Sequence, residues 1–262
     1  MAVTWRSLRR SCVVLAVAVV ASGCATPPTD PAARAAFEEA NDPLEPMNRD
    51  FFEFNRVLDG LLFKNVAEFY RIVVPERVRT SIHNVMVNLN EPVVFANNLL
   101  QGKIERGGTT AARFAVNSTA GLAGFFDVAT DLGLPEQTGD FGQTLYSWGV
   151  EDGGPYLVLP ILGPSNPRDG IGMGVDGYID PFRYVFNHEH VGYINTARFV
   201  MVGIDERVRA GPELDEIERS SIDFYAQLRS LFRQHRDKEL RGITSDTLLP
   251  NKDFYQDPNA PK

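Results

Sequence analysis

The chain has 262 residues, of which 44% are apolar, and it includes 22 glycines and 17 prolines. This length allows one sizeable hydrophobic core and does not require two. With 34 acidic and 26 basic residues the formal net charge is −8, which argues against a nucleic-acid partner and against electrostatic attraction to anionic lipid head groups.

The first 23 residues are predicted to be a lipoprotein signal peptide. Three arginines precede an apolar run over 13–20, which is far shorter than the roughly 20 residues of a membrane-spanning helix. The segment ends in Ala21-Ser22-Gly23-Cys24, which resembles a bacterial lipobox and predicts acylation of Cys24. The alternative is an ordinary secretory signal, but loss of Cys12 with the signal would leave Cys24 without a disulfide partner. Several acyl chains would hold the protein firmly on a membrane, and Ala25 after the cysteine favours the outer membrane.

The rest of the chain divides by composition into three parts. Residues 24–41 are rich in proline and alanine and are predicted to be a lipidated tether. Residues 42–242 are predicted to form a single domain, and residues 243–262 a polar tail. Without the signal arginines the formal charge falls to about −11.

Apolar periodicity predicts a mainly α fold. A first amphipathic helix is expected from Pro46, with an apolar stripe formed by Met47, Phe51, Phe54, Leu58 and Leu61. A second helix is expected from Pro75 until Glu91-Pro92 breaks it, a third from there to Gly102, and a fourth over 103–117. Residues 214–232 predict a long surface helix.

The middle of the chain, 139–163, is rich in glycine and aromatic residues and is predicted to be a non-helical hairpin. Asp152-Gly153 lies between two apolar arms and predicts the turn. Pro160 in the second arm argues against a central strand. Two interpretations stay open for this segment, a loop packed into the core and a mobile apolar hairpin that touches lipid.

Motifs for covalent chemistry are weak or missing. There is no G-x-S-x-G elbow, although a triad assembled from distant positions stays open, and His188-Glu189-His190 lacks the H-E-x-x-H spacing of a zinc site. Residues 172–177 fit G-x-G-x-x-G, but prolines disrupt the strand that should precede them, so we interpret them as a flexible loop. No phosphate-binding P-loop is present. The sequence therefore predicts no enzyme activity, no metal site and no cofactor.

Nine segments carry distinctive motifs in a fixed order, namely 41–49 (NDPLEPMNR), 91–92 (EP), 99–103 (LLQGK), 121–127, 140–145 (DFGQTL), 148–150 (WGV), 154–160 (GPYLVLP), 163–165 (GPS) and 168–169 (RD). In this order they resemble the MlaA (VacJ) family of outer-membrane lipoproteins. Together they cover most of 41–242. One departure is Asn65 after Lys64, where the family usually has proline.

The resemblance implies a ring of amphipathic helices around a channel in the inner leaflet of the outer membrane. Misplaced phospholipid from the outer leaflet would pass through this channel to a soluble periplasmic carrier, and a trimeric porin would be a partner. The family's flexible hairpin maps onto 138–165. The alternative function is a structural lipoprotein that stabilises a porin or envelope complex without a lipid path, and a lipid-modifying enzyme is the third.

A path for phospholipid needs apolar surface for the tails and polar groups for the head group. The first helix offers both, because Asn48, Asn55 and Asp59 lie on the face that adjoins its apolar stripe. Plain core packing is the alternative role of that stripe. The candidate residues for the lipid path are Met47, Phe51, Phe54, Asn55, Leu58, Phe141, Leu145, Tyr156, Leu157 and Leu159.

Overall fold

The structure is a computed structural model of the chain, and it describes residues 25–242. The predicted signal peptide, Cys24 and the predicted polar tail lie outside the described residues. None of the helices within 25–242 combines the length and the apolar character needed to cross a membrane.

Helices account for most of the described residues, so the predicted mainly α fold is confirmed. In chain order they are α1 (Pro31–Ala40), α2 (Glu45–Leu58), a π-helical segment (Asp59–Phe63), α3 (Lys64–Val73), α4 (Glu76–Leu100), α5 (Ile104–Thr119), α6 (Val128–Asp131), α7 (Phe141–Ser147), α8 (Pro167–Ile179), α9 (Pro181–His188), α10 (Tyr193–Ser220) and α11 (Phe224–Leu240). Two short strands, β1 (Leu157–Leu159) and β2 (Gly163–Ser165), lie between α7 and α8.

The chain divides into two compact units. The first unit comprises residues 25–58 and 154–167, and the second comprises residues 59–153 and 168–242. In the first unit, α2 packs against β1. In the second unit, the pair α4 and α5 has the most extensive contact, and α7, α9 and α10 pack against α4. Helix α3 packs against α10.

The predicted tether contains a helix. Helix α1 begins at Pro31 after Asp30, whose carboxylate accepts a hydrogen bond from the Ala33 N–H, and no residue of the helix is buried. Helix α2 begins at Glu45, one residue before the predicted start.

The predicted helix break at Glu91-Pro92 is wrong. Helix α4 is continuous and contains Pro92, although proline there removes one backbone hydrogen bond. Glu91, Val93 and Val94 are buried around it, and α4 packs along α5. Tertiary packing therefore stabilises a helix that local propensity would end.

Two further expectations are corrected in the second unit. Residues 172–177 are helical within α8, so the predicted flexible loop is wrong. A β-carbon on Gly172 would lie 2.6 Å from the Gly142 backbone nitrogen, so glycine at this position permits α8 to pack closely against α7. The predicted surface helix over 214–232 is two helices, because Asp223 caps the start of α11 by accepting from the Ala226 N–H.

The hairpin exists, but its turn is not at Asp152-Gly153. Strands β1 and β2 pair antiparallel with Leu157 opposite Ser165 and Leu159 opposite Gly163, so the turn spans 160–162. Pro160 therefore follows the strand and disturbs no ladder bond. The predicted non-helical stretch also includes helix α7, which begins after Asp140, whose carboxylate accepts a hydrogen bond from the Gln143 N–H.

Candidate functional site

The first unit is held together by a buried asparagine on α2. The Asn48 side-chain nitrogen donates to the Tyr156 carbonyl at 2.9 Å, and its oxygen accepts from the Val158 N–H at 2.9 Å. The same nitrogen donates to Asp42 at 2.8 Å. Asn48 thereby offers β1 the donor and acceptor that a neighbouring strand would offer.

Asn55 repeats this arrangement two helical turns later. Its nitrogen donates to the Leu159 carbonyl at 2.9 Å, and its oxygen accepts from the Ile161 N–H at 2.7 Å. We call the four bonds of Asn48 and Asn55 to the hairpin backbone the asparagine clasp. The clasp covers the open edge of β1. Both ends of the Asn55 amide bond to the hairpin backbone, whereas the sequence predicts that this side chain faces a lipid head group.

The apolar stripe of α2 is less buried than the opposite face of the helix. Phe52 is the buried aromatic residue of this helix, on the face that carries Asn48 and Asn55. The stripe residues Met47, Phe51 and Leu58 are half-buried, and Phe54 is 51% exposed. Phe54 is therefore not packed in the core, and the role of the rest of the stripe stays a prediction.

Strand β1 sorts the hairpin candidates into two groups. Tyr156 and Val158 are each 3% exposed, so they belong to the core of the first unit. Leu157 and Leu159 alternate with them and are only half-buried. At the turn, Ile161 and Leu162 are exposed. Leu157 and Leu159 therefore keep apolar surface available on the same unit as the α2 stripe.

Phe141 and Leu145 lie in α7, in the second unit. Both are half-buried, and the Phe141 ring meets the exposed Trp148 ring edge to face at 5.7 Å. The Phe141 N–H donates to the half-buried Asp176 carboxylate at 3.0 Å. The lipid-path role of all ten candidate residues stays a prediction.

The second unit has an ionic interior that the sequence did not reveal. Arg113 on α5 is 1% exposed, and its Nε donates to Glu91 on α4 at 3.0 Å. Arg113 also donates to Thr130 and to both oxygens of Asp127. Burial raises the pKa of Glu91 to about 7 despite the hydrogen bond and charge of Arg113. Its second oxygen, Oε2, is buried without a hydrogen-bond partner among the described residues, so a proton can reside there.

A second buried cation joins three helices of this unit. Arg236 on α11 donates to Asp140 with two nitrogens at 2.8 Å and to Asp169 on α8 with two nitrogens at 2.9 Å. Burial alone would raise the pKa of Asp169, but hydrogen bonds and charges from Arg236 and Arg168 hold it below its ordinary value. The Asp169 carboxylate therefore stays ionised. Through Asp140 and Asp169, Arg236 cross-links α7, α8 and α11.

Buried and exposed residues are distributed in an unusual way. Among residues 25–242, sixteen polar or charged residues are buried, against ten hydrophobic ones, while thirty large hydrophobic residues are exposed. Soluble monomers rarely expose contiguous apolar patches without a partner surface. Many of the exposed residues follow each other along the chain, as in 61–62, 72–73, 99–100, 125–126 and 161–162.

His188 and His190 are both exposed, at the end of α9 and just after it. Within residues 25–242 no group of three or more histidine, cysteine, aspartate or glutamate side chains is arranged to hold a metal ion. The predicted absence of catalysis stays a prediction.

The fold and the distribution of residues define a class of protein: mainly helical, polar and ionic inside, and apolar on much of its accessible surface. The family model described as MlaA lipoprotein matches residues 40–239, and the chain belongs to this family. The Escherichia coli protein named "Intermembrane phospholipid transport system lipoprotein MlaA" is 33% identical over 234 residues, which cover 88% of each chain.

Two further similarities agree with this family. An uncharacterized protein of Rickettsia felis is 32% identical over 205 residues, which cover 78% of this chain and 79% of that one. A solved structure published under "Structural basis for maintenance of bacterial outer membrane lipid asymmetry" superimposes with a TM-score of 0.67 at 32% identity. The match covers 76% of this chain and 98% of that chain.

Proposed function

We propose that this protein is an outer-membrane lipoprotein that removes misplaced phospholipid from the outer leaflet and passes it to a soluble periplasmic carrier. The amphipathic helices would surround a channel in the inner leaflet, with a trimeric porin as partner. The observation that carries this proposal is the apolar surface of the second unit around its ionic interior. Side chains such as Phe69, Ile72 and Phe199 are more than half exposed, and lipid tails would cover them.

Membership of the MlaA lipoprotein family supports the substrate class. The E. coli and Haemophilus influenzae relatives are named as lipoproteins of an intermembrane phospholipid transport system. An apolar surface, with no membrane-spanning helix among residues 25–242, suits a protein that lies in one leaflet. Acylation of Cys24 would anchor such a protein on the periplasmic side.

A transfer experiment tests the proposal. The full-length protein is placed in bilayer discs that contain isotope-labelled phospholipid, and a soluble lipid carrier is added and then analysed by mass spectrometry. We expect intact labelled phospholipid on the carrier. Lyso-lipid or free fatty acid would instead indicate an enzyme, and failure of transfer with intact porin binding would favour the structural lipoprotein.

A second experiment tests the anchor. Replacing Cys24 with alanine should remove metabolic labelling by fatty acid and release the protein from the membrane fraction after a salt wash. Circular dichroism should remain unchanged, because the substitution alters none of the residues 25–242 that form the described helices and strands. Fatty-acid labelling of Cys24→Ala at the wild-type level would exclude lipidation at this cysteine.

A further inference from the structure

A cavity of about 530 Å³ lies between α3 and α10 in the second unit. Its size falls within the range of small-molecule binding sites. The charged residues of its wall are four cations and two carboxylates, namely Lys64, Arg71, Arg207, Arg219, Glu68 and Asp215. Asp59 and Glu216 pair with Arg207 and Arg219, so the cations and the carboxylates at the cavity are equal in number. What the wall offers a ligand is a concentration of cationic N–H donors, which suits an anion.

Arg207 is the most firmly positioned of these cations. Its side chain is 12% exposed, its Nε donates to Asp59 at 2.7 Å, and its Nη2 donates to Asp215 at 2.9 Å. Its third nitrogen, Nη1, donates to no residue within the described chain. A β-carbon at Gly211 would overlap Nη1, so glycine leaves room for the guanidinium. Arg207 is thus preorganised from one side and retains a donor for a ligand.

The other three cations are more exposed than Arg207. Arg71, Arg219 and Lys64 have side chains that are more than half exposed, and their ion pairs with Glu68, Glu216 and Asp215 are 2.7 to 2.9 Å long. Such exposed pairs contribute little to stability, so a cation can leave its carboxylate at small cost. Arginine binds phosphate with two parallel N–H groups more strongly than it binds neutral acceptors.

Helix α3 has a second face of opposite character. Lys64, Glu68 and Arg71 line the cavity, whereas Val66, Phe69 and Val73 are exposed apolar residues spaced by three and four along the same helix. A ligand that combines an anionic group with acyl chains would satisfy both faces at once.

We propose that the cavity between α3 and α10 binds the phosphate of a phospholipid head group while the acyl chains lie along the apolar face of α3. This role rests on the proposed function, since it supplies a head-group site for the transported lipid. Free phosphate has the same anionic chemistry, but it makes no use of Val66, Phe69 and Val73.

The test measures ligand binding directly by the full-length protein in maltoside micelles, which contain no phosphate. The test variant is Arg71→Gln with Arg219→Gln. The matched control is Arg34→Gln with Arg241→Gln, which removes the same charge from exposed ion pairs whose residues do not line the cavity. The probes are dihexanoyl phosphatidylglycerol, dihexanoylglycerol and inorganic phosphate.

We expect the test variant to raise the Kd for dihexanoyl phosphatidylglycerol at least tenfold, while the control stays within twofold of wild type. Dihexanoylglycerol, which lacks phosphate, should bind both variants alike. If inorganic phosphate binds as tightly as the lipid and responds to the variant equally, the lipid assignment is overturned and free phosphate is the ligand. A test variant that binds like wild type, or a control that weakens binding equally, refutes the site. Because no carrier or transfer step is involved, failure of the proposed transport leaves this measurement interpretable.

Discussion

The asparagine clasp of the first unit and the α4–α5 contact of the second unit are both stabilised by polar side chains. The two differ in whether those side chains are neutral or charged. The clasp uses neutral amides, each of whose hydrogen bonds contributes about 1 kcal/mol net. The α4–α5 contact uses the buried ion pair of Glu91 and Arg113. Loss of one partner from a buried ion pair costs about 3–5 kcal/mol, because the other charge remains without compensation. We therefore expect the hairpin to open at lower free energy than the helices of the second unit.

The largest effect is expected from Arg236→Met. The substitution keeps much of the side-chain volume but leaves Asp140 and Asp169 without their shared cation. We expect a loss of about 3–5 kcal/mol in the free energy of unfolding. Arg241→Met is the control, since its ion pair with Asp237 is exposed and should contribute about 1 kcal/mol or less. Denaturant unfolding in micelles measures the free energy of unfolding of both variants. Equal losses would contradict a stabilising role for the ion pairs of Arg236 with Asp140 and Asp169.

The second prediction concerns pH. Because burial raises the pKa of Glu91 above that of the unfolded chain, the folded state binds the extra proton between about pH 4.5 and 7. Its stabilising effect is therefore complete below pH 4.5 and is lost as the pH rises through about 7. The loss amounts to about 3 kcal/mol at most.

Glu91→Gln removes this titration and keeps an oxygen for Arg113. Relative to wild type, the variant should become more stable as the pH rises from 4.5 to 8. Thermal unfolding of both proteins across this range provides the measurement. A constant difference in melting temperature would show that Glu91 does not titrate here.

A smaller effect is expected from the clasp itself. Asn48→Ala removes three buried hydrogen bonds and should cost about 1–3 kcal/mol. Asn55→Ala removes two partly exposed bonds and should cost less. Hydrogen exchange at the Val158 and Ile161 amides distinguishes the two ends of the clasp. Asn48→Ala should speed exchange mainly at Val158, and Asn55→Ala mainly at Ile161. Equal acceleration at both amides in either variant would indicate that the hairpin opens as one unit.

The smallest effect on stability, with the largest effect on function, is expected from Leu157→Asn with Leu159→Asn. Both side chains are half-buried, so we expect a cost of about 1 kcal/mol, with near-normal expression. Polar groups on a lipid path would raise the barrier to acyl tails, so phospholipid transfer should fall.

Val158→Asn is the matched control for that pair, because the intervening side chain is buried. It should unfold the first unit by placing an amide in the core. A double Leu variant that unfolds like Val158→Asn, or one that is stable and transfers lipid normally, would exclude Leu157 and Leu159 from the lipid path.

The sequence by itself determined the family and some of the helices. Helical periodicity is local, so α2, α5 and the helix-start signals near Pro46 and Pro75 were predictable within a residue or two. Long motifs such as 140–145 and 154–160 identified the family without any structural information. The spacing of Asn48 and Asn55, two helical turns apart, was the available signal for the clasp.

Only the tertiary structure decided which residues are inside. A hydropathy pattern cannot distinguish an apolar face that packs into a core from one that faces lipid. The sequence therefore did not predict that Phe52 is buried and that Phe51 is not. The partners of Arg236 lie 67 and 96 residues away in the chain, so no local pattern predicts them. Pro92 stays within α4 for the same reason: packing against α5 outweighs the lost backbone hydrogen bond, and that energy arises only when distant segments meet.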